Sequence, residues 1–396
     1  MNKNKQKFSI LRVAISVFVF LILLYCLHMA DAYLMNIPHY RDIGSYWTPD
    51  GKNIVFIRWH HRKGQKHDFF QIWKINPDGS DPVRLFESQP YFVLYGIRRF
   101  CFNSDGSHIN LRLNKKKNGK IQDMLYRIPL DPSQKTETRK LDKKFPLDVF
   151  LAFRDDMVAL RRMKGRGKTA ASTLQIYRFD DMKPVKEINF PKNTICVFAD
   201  FYNGGKKIFG VTRKPNGEDP KKFDNTLCLF DENKKIKFSY SFIDIHYLEK
   251  SKVFLGSDLS GKPGFHIFNP KKNKWRYVTT PLNKDGSFSF NVTEDECRII
   301  LSDINKLYYI DMNGGGVSEF ILPEKMLSSP GENKSGNQLV FSNGDIICKM
   351  NPDGTNIREL TKPSERSMYL KNKQYRTYLD IRRRTLNAFN SVDNHH

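Results

Sequence analysis

The 396-residue sequence predicts an all-β protein, a single β-propeller of seven blades with an apolar helix at its N-terminus. Three observations support this prediction. An Asn-Pro-Asp-Gly-Ser/Thr pentapeptide recurs at opposite ends of the chain, short apolar strands recur between the two copies, and an uncharged apolar run lies near the N-terminus. Six blades is the alternative count, because the third repeat unit, around residues 149–160, matches the others least well.

The pentapeptide Asn-Pro-Asp-Gly-Ser at residues 76–80 returns as Asn-Pro-Asp-Gly-Thr at residues 351–355. Each copy lies between two short strands of apolar character. Asp-Gly between such strands is the strongest short hairpin signal, because a type I′ turn needs a positive φ at both central residues. We therefore predict two type I′ hairpins, with Gly79 and Gly354 at positive φ.

A second turn motif, Pro-Asp-Gly or Ser-Asp-Gly followed by an apolar strand, begins the upstream half of the unit. It is complete at residues 48–57 and 103–111 and degraded at residues 203–210, 294–301 and 334–341. Together the two motifs predict the structural turn residues Asp50, Gly51, Asp78, Gly79, Asp105, Gly106, Asp353 and Gly354.

The spacing of the units sets the predicted architecture. Units start near residues 43, 96, 148, 195, 243, 287 and 327, so successive starts lie 40 to 53 residues apart. Four short strands with tight turns need roughly 40–50 residues, which is the period of a propeller blade. Each four-stranded sheet has two apolar faces that only neighbouring blades can cover, so such repeats close into a ring. We assign residues 33–361 to this propeller.

The order Pro-Asp-Gly, apolar strand, Ile-Trp and second Pro-Asp-Gly resembles the TolB-like (PD40, or WD40-like) β-propeller repeat of bacterial envelope proteins. The first and last units match closely, and the resemblance covers about residues 40–361. The same repeat occurs in periplasmic scaffolds, in the propeller domains of peptidases and in some polysaccharide lyases. The resemblance therefore implies the fold and does not imply one activity.

Residues 1–32 have the three-part organisation of an export signal. Four basic residues and no acidic residue precede an uncharged apolar run at residues 13–27, and Ala30-Asp31-Ala32 provides a small-x-small cleavage site. Residues 13–30 also approach the length of a membrane-spanning helix. We predict either a signal peptide cleaved after Ala32, which gives a periplasmic or secreted protein, or an uncleaved anchor with the propeller outside the cytoplasm.

The repeat stops after residue 361, and residues 362–396 form a tail with eight basic and three acidic residues. Apolar positions between residues 375 and 386 fit a short amphipathic helix. Such a helix could cover a blade edge, lie on a membrane or remain free. We favour the covering of a blade edge followed by a disordered tip.

The net charge of +24 at neutral pH is the most unusual bulk property. Residues 1–30 contribute +4 and residues 362–396 contribute +5, which leaves +15 on the propeller. Three interpretations are open: ordinary solvation of polar turns, binding to anionic envelope material, and binding to nucleic acid. Export argues against nucleic acid. We predict a monomer whose partner is an envelope protein or an acidic glycan, with basic patches that suit an anionic membrane surface.

The cysteines are sparse, and none forms a Cys-x-x-Cys pair. Most lie in apolar strand patterns, so we interpret them as small buried hydrophobic residues rather than as a disulfide framework or a metal site. One bridge between adjacent blades, Cys196 with Cys228, is left open.

Recognisable catalytic motifs are absent from the sequence. There is no Gly-x-Ser-x-Gly nucleophile elbow, and Gly-Arg-Gly-Lys-Thr at residues 165–169 lacks the upstream glycine of a phosphate-binding loop. His60, His61 and His67 cluster in the first unit, but adjacent strand residues point to opposite faces. We therefore predict no catalytic residue, no cofactor and no metal ligand.

The alternative function is a carbohydrate-active propeller similar to the seven-bladed oligogalacturonate lyases, acting on acidic oligosaccharides. A basic surface would suit such substrates. A lyase needs a base and usually a set of cation ligands that converge on the central channel. His108, His246 and His266, which we expect to come from three different units, are the candidates. This hypothesis requires the three imidazoles to share one pocket.

Overall fold

The structure, a computed structural model, describes Tyr25 and residues 39–61, 69–88, 92–93, 101–117, 120–141, 149–164, 171–215, 223–238, 242–258, 264–282, 289–303, 305–322, 326 and 330–364. These residues form seven antiparallel sheets in chain order, which we number as blades 1 to 7. Six of the sheets have four strands each. In blade 2 the place of the first strand is taken by two short strands, which both pair with the next strand of the blade.

The first four blades have the following strands. Blade 1 contains β1 (His39–Trp47), β2 (Ile54–His61), β3 (Phe69–Ile75) and β4 (Val83–Glu87). Blade 2 contains β5 (Phe92–Val93), β6 (Cys101–Phe102), β7 (His108–Lys117), β8 (Lys120–Pro129) and β9 (Glu137–Leu141). Blade 3 contains β10 (Val149–Arg154), β11 (Met157–Lys164), β12 (Ala171–Arg178) and β13 (Pro184–Asn189). Blade 4 contains β14 (Ile195–Tyr202), β15 (Lys207–Pro215), β16 (Phe223–Leu229), a short 3-10 turn (Phe230–Glu232) and β17 (Lys234–Phe238).

The last three blades follow the same order. Blade 5 contains β18 (Phe242–Leu248), β19 (Val253–Asp258), β20 (Gly264–Asn269) and β21 (Lys274–Thr279). Blade 6 contains β22 (Ser289–Val292), β23 (Arg298–Asp303), β24 (Lys306–Asp311) and β25 (Val317–Ile321). Blade 7 contains β26 (Gly331–Glu332), β27 (Leu339–Ser342), β28 (Ile347–Met350) and β29 (Arg358–Glu359).

The blade boundaries agree with the repeat spacing in the sequence. The first strands begin at residues 39, 92, 149, 195, 242, 289 and 331, each within four residues of the predicted unit start. Seven blades are therefore confirmed, and the weakly matching third unit is a complete four-stranded blade. The fourth strand of a blade is its most exposed strand, as β13 and β25 illustrate.

Seven clusters of buried apolar side chains hold the ring together, one at each junction between neighbouring blades. Because successive strand residues point to opposite faces of a sheet, each blade contributes to two junctions. In β19, Phe254 packs towards blade 4 and its neighbour Leu255 packs towards blade 6. The apolar alternation of the repeat is thus used on both faces of each blade.

The ring closes where blade 7 meets blade 1. Phe56 packs against Val340 in the cluster at this junction. The hydroxyl of Ser342 donates a hydrogen bond to the carbonyl oxygen of Asp42 (2.6 Å), and the backbone N–H of Asp42 donates to the carbonyl oxygen of Asp345 (3.2 Å). The strands of blade 1 and of blade 7 each come from one continuous segment. Among the described strands, closure therefore rests on packing and hydrogen bonds rather than on a shared sheet.

The repeated Asn-Pro-Asp-Gly turns differ from the prediction in one respect. Gly79 and Gly354 have the predicted positive φ, +90° and +80°, and each N–H donates to the carbonyl oxygen three residues earlier (3.0 Å). The preceding residues, Asp78 and Asp353, do not have positive φ, so the type I′ assignment is wrong. Each is a type I turn closed by a left-handed glycine. Proline is the reason, because Pro77 fixes φ near −65° at the first central position.

The turns between the first and second strands lie on one face of the ring together with the turns between the third and fourth strands. We call this face the turn face. Its turns contact each other from blade to blade: the hydroxyl of Ser104 in blade 2 donates to Asp155 of blade 3 (2.9 Å), and the N–H of Gly204 in blade 4 donates to Glu249 of blade 5 (3.0 Å). Similar bonds link blades 5, 6 and 7. The turns therefore brace the ring.

The structure does not describe two segments for which the sequence makes a prediction. The predicted signal or anchor at residues 1–32, apart from Tyr25, and the predicted C-terminal helix within residues 365–396 lie outside the described residues. Within the part of the chain that is described, no helix has both the length and the hydropathy needed to span a membrane.

Candidate functional site

A cavity of about 380 Å³ opens on the turn face between blades 4 and 5. Four turns surround it: residues 202–207 and 229–232 of blade 4, and residues 247–252 and 270–271 of blade 5. Its lining combines aromatic, aliphatic and charged side chains. The lining residues are Tyr202, Asn203, Lys207, Leu229, Glu232, Tyr247, Lys252, Phe254, Pro270 and Lys271.

The floor of the cavity is the outer end of the apolar cluster between blades 4 and 5. Phe254 and Leu229 are fully buried there. Tyr202 is 4% exposed and meets Tyr247 edge to face, with ring centroids 4.9 Å apart. Edge-to-face contact at this distance is a favourable arrangement of two aromatic rings. The two tyrosines therefore form a fixed aromatic surface beneath the opening.

One side of the rim is internally neutralised. The ammonium of Lys207 donates to Glu232 Oε1 (2.8 Å), and the hydroxyl of Tyr202 donates to the same oxygen (3.2 Å). The hydrogen bond from Lys207 lowers the pKa of Glu232, so this carboxylate stays ionised. Burial raises the pKa of Tyr202, which keeps the phenol protonated as a donor.

Lys252 lies on the second side of the rim, in the turn between β18 and β19. Its backbone has the left-handed conformation, with φ of +56°, which a residue with a Cβ rarely adopts. The N–H of Lys252 donates to the carbonyl oxygen of Leu248 (2.9 Å), and this bond closes the turn. Its ammonium lies 3.6 Å from the carboxylate of Glu249, and both side chains are partly exposed. A pair of this kind contributes little, so Lys252 remains available to another anion.

Lys271 completes the rim from the turn between β20 and β21. The side chain of Asn269 shapes this turn by accepting hydrogen bonds from the N–H groups of Lys271 and Lys272 (3.0 Å each). Among the described residues Lys271 has no ion-pair partner. It is therefore the lysine of this cavity whose charge is least compensated.

The arrangement suits an anion attached to a compact apolar body. Three lysines and one ionised glutamate line the cavity, so its net charge is positive. Burial also raises the pKa of Tyr247, so its hydroxyl is protonated and can donate a hydrogen bond to a ligand. Cationic groups above an aromatic floor match a ligand with one charged group and one apolar face.

The three histidines of the alternative hypothesis lie apart. His246 and His266 belong to the same blade, on β18 and β20, rather than to different units. His246 is paired with Leu255 and His266 with Gly256, which are successive residues of β19, so the two imidazoles point to opposite faces of blade 5. The sheet of blade 5 therefore separates them.

Their surroundings differ accordingly. His246 faces blade 6, where its ring lies 5.7 Å from that of Phe290. His266 is 3% exposed and lies 4.8 Å from the ring of Tyr277. His108 is in blade 2 and its Nδ1 lies 2.6 Å from the hydroxyl of Ser107. The structure does not bring the three together in one pocket.

The other histidine cluster is only partly visible. His60 stacks on Phe69, with ring centroids 4.4 Å apart, and its Nε2 lies 2.9 Å from Gln71 Oε1. The side chain of His61, all of His67 and the loop at residues 165–169 lie outside the described residues. Within the described residues no three histidine, cysteine or acidic side chains are grouped as they would be to hold a metal ion.

The cysteine pair that the sequence left open is not bridged. Cys196 and Cys228 are both buried, free thiols. They belong to one blade rather than to adjacent blades, on β14 and β16 with β15 between them. Two strand spacings amount to about 9.5 Å, which exceeds the Cα separation that a disulfide can span. Burial raises the pKa of the Cys196 thiol to about 12, as expected for an inert core cysteine.

Sequence reasoning missed the cavity, although one signal was present. The turn at residues 269–273 reads Asn-Pro-Lys-Lys-Asn, which aligns with Asn-Pro-Asp-Gly-Ser at residues 76–80. Lys271 therefore stands where the repeat has Asp78. The repeat alignment thus places a cation where the first unit has a carboxylate, and this is the feature of the sequence that points to the turn at residues 269–273.

No family model and no curated protein sequence matches the chain. Solved structures match its fold. The β-propeller domain of the trilobed protease from Pyrococcus furiosus, described as having an open velcro topology, is 10% identical with a TM-score of 0.53, over 84% of this chain and 99% of that one.

Two peptidases are similar in the same way. A prolyl endopeptidase is 12% identical with a TM-score of 0.55, over 84% of this chain and 51% of its own. The acylaminoacyl peptidase from Pyrococcus horikoshii is 11% identical with a TM-score of 0.53, over 84% of this chain and 54% of its own. The chain thus spans about half the length of these two peptidases. At such low identity the likeness shows the fold alone, a seven-bladed β-propeller.

Proposed function

We propose that this chain is a non-catalytic binding propeller that presents the cavity on its turn face to a protein or glycan partner in the cell envelope. The cavity between blades 4 and 5 carries the proposal, because Lys207, Lys252 and Lys271 surround an aromatic floor there. Its described lining contains no serine, cysteine or histidine. The lining offers charge and apolar area for binding without the serine–histidine or cysteine–histidine pair that activates a common nucleophile.

Features of the sequence support the proposed repeat type and the proposed cellular location. The Pro-Asp-Gly motifs support a TolB-like (PD40) repeat, and the form of residues 1–32 supports export. On this proposal the propeller lies outside the cytoplasm, anchored through residues 1–32 or released after cleavage at Ala32. The excess of basic residues is compatible with an anionic membrane surface as a second contact.

The alternative proposal is an enzyme similar to oligogalacturonate lyases. It draws on the basic surface and on the requirement for a base near a bound acidic sugar. The positions of His246 and His266 on opposite faces of one sheet favour the binding role over this alternative.

An assay with acidic oligosaccharides separates the two proposals. Full-length protein in detergent is incubated with galacturonate oligomers, with and without divalent cations, and the absorbance of unsaturated products is followed. The binding proposal predicts no product above that of a boiled control. Metal-dependent product that disappears in His246→Ala would replace the binding role with the lyase.

A fractionation experiment tests the location. Deletion of residues 1–32 should move the protein from the membrane pellet to the supernatant, because the remaining sequence has no apolar run of comparable length. The pellet is washed at high salt, which screens the attraction of basic side chains to anionic lipid. Retention of the truncated protein in the washed pellet would mean that the anchor is elsewhere.

A further inference from the structure

We propose that the cavity between blades 4 and 5 binds one acidic sugar residue of a glycan, with Lys271 as the main contact of its anionic group and the tyrosine floor beneath its ring. The inference rests on the proposed binding function and names its ligand class.

Lys271 takes the sequence position that Asp78 has in blade 1, in a turn of different geometry: four residues separate the strands instead of seven, and the positive φ lies at Asn273. In blade 1 Asp78 caps its turn by accepting a hydrogen bond from the N–H of Ser80 (2.9 Å). The turn of blade 5 is capped in a different way, by Asn269, whose side chain accepts hydrogen bonds from the N–H groups of Lys271 and Lys272. The hairpin therefore closes without an aspartate at position 271, and the side chain at that position lines the cavity as a cation.

The three lysines of the rim differ in how far their charge is compensated. Lys207 is held by Glu232 at 2.8 Å, and Lys252 lies 3.6 Å from Glu249. Lys271 has no such partner among the described residues. The ligand's anionic group should therefore lie nearest to Lys271, with Lys252 as a second contact.

The volume and the lining of the cavity fit a small ligand with an apolar face. Its volume of about 380 Å³ lies at the lower end of the range for small-molecule pockets, which is roughly 300–1,000 Å³. The floor is aromatic: Tyr247 is partly exposed, Tyr202 is 4% exposed beside it, and Phe254 is buried beneath them. A bare inorganic anion has no group that would use this floor. A sugar ring has an apolar C–H face for the tyrosines and can carry a carboxylate that reaches the rim.

The test is a calorimetric titration of full-length protein in detergent with a trimer of galacturonic acid. Lys271→Glu should weaken binding about tenfold or more, since it removes one hydrogen bond to a charged group and adds repulsion. Lys272→Glu is the matched control: it makes the same change in net charge one residue away, on an exposed side chain that does not line the cavity. Its effect should be less than about twofold, because solvent screens it. Melting curves establish that both variants are folded.

Four outcomes would overturn the inference. Equal weakening by the two variants would place the anion elsewhere, and equal affinity for a neutral galactose trimer would remove the need for an acid group. Binding of a glutamate tripeptide but not of the sugar trimer would mean that the cavity recognises acidic protein segments, so the ligand class would fail while the binding function stood. Absence of binding to either probe, together with no component retained from envelope extract, would contradict the proposed function as well.

Discussion

The junction between blades 7 and 1 and the junction between blades 4 and 5 both pack two sheets face to face. At the first, polar groups lie among the apolar ones. The Arg58 guanidinium donates two hydrogen bonds to the carboxylate of Asp42 (2.7 and 2.9 Å) and lies over the ring of Tyr40 (4.3 Å). At the second, the contacts are mainly aromatic, as between Tyr202 and Phe254, and a cavity remains at the turn face.

The difference follows from how the chain connects the blades. Blades 4 and 5 are joined by residues 239–241, so the two sheets are tethered whatever their side chains do. Blades 7 and 1 are neighbours in the ring but come from opposite ends of the propeller sequence, so no direct chain connection joins them. Directional hydrogen bonds between Ser342, Asp42 and Asp345 replace it. The junction between blades 4 and 5, which the chain connects directly, leaves an open cavity at the turn face, whereas the closing junction is filled by specific hydrogen bonds.

Removal of the buried carboxylate at the closing junction should have the largest effect. Asp42 is fully buried and the side chain of Arg58 is 19% exposed. Asp42→Ala leaves a partly buried guanidinium without its partner, so the free energy of unfolding in urea should fall by about 3 kcal/mol or more. Glu319→Ala is the control, because it breaks an exposed pair with Lys306 (2.7 Å) and should cost less than about 1 kcal/mol. Equal losses would show that closure does not depend on Asp42.

Substitution of the turn glycines should have the next largest effect. A Cβ on Gly79 would lie 3.1 Å from the carbonyl oxygen of Leu360 at the closing junction, and one on Gly354 would lie 2.8 Å from Leu322. With the strain of a positive φ, Gly→Val at either position should cost roughly 1–2 kcal/mol or more. Gly316→Val meets no atom within 4 Å and should change stability by less than about 0.5 kcal/mol. Similar melting temperatures for all three variants would refute the turn assignment.

A substitution at the rim of the cavity should have a smaller effect on stability and a measurable effect on binding. Glu232→Gln removes the carboxylate that neutralises Lys207, an exposed pair, so the free energy of unfolding should change by less than about 1 kcal/mol. The freed ammonium should tighten galacturonate binding by about threefold. Glu187→Gln makes the same charge change on blade 3 and should leave affinity unaltered. A tightening by Glu187→Gln of the same size would indicate an effect of net charge alone.

The smallest expected effect is on acid stability. Hydrogen bonds from the side chain and the N–H of Thr355 lower the pKa of Asp353 below its ordinary value of 3.8. The unfolded chain then binds more protons than the folded one as pH falls, so the stabilisation is present at neutral pH and is lost as pH falls below about 4. Asp353→Asn can still accept these bonds and should lose less of its melting temperature between about pH 5 and about pH 3. Identical losses would exclude a contribution from Asp353.

Most of the fold could be predicted from the sequence, because its signals are local. The positive φ of Gly79 and Gly354 and the start of each blade follow from turn residues and strand spacing. The type I′ turn was predicted wrongly because the Asp-Gly signal was weighted above the preceding proline. The ring of Pro77 fixes φ of that residue at a negative value, whereas glycine accepts a positive φ in several turn types. The proline therefore decides the turn type.

The site could not be predicted because it depends on contacts between distant segments. The face to which His266 points follows from its pairing with Gly256, and the sequence does not give that register. The cavity joins four turns of two blades, which only the ring brings together. Lys271 was the exception, since its alignment with Asp78 was readable and marked the turn as unusual.

A crystal structure of the full-length protein with galacturonate trimer is the most direct test of whether the cavity between blades 4 and 5 binds an acidic sugar. We expect density for one sugar ring over Tyr202 and Tyr247, with its carboxylate within hydrogen-bonding distance of Lys271 Nζ. The ligand should be absent from crystals of Lys271→Glu and present in crystals of Lys272→Glu. Sugar density near His246, near His266 or at the opposite face of the propeller, with an empty cavity between blades 4 and 5, would contradict the assignment of this cavity as the binding site.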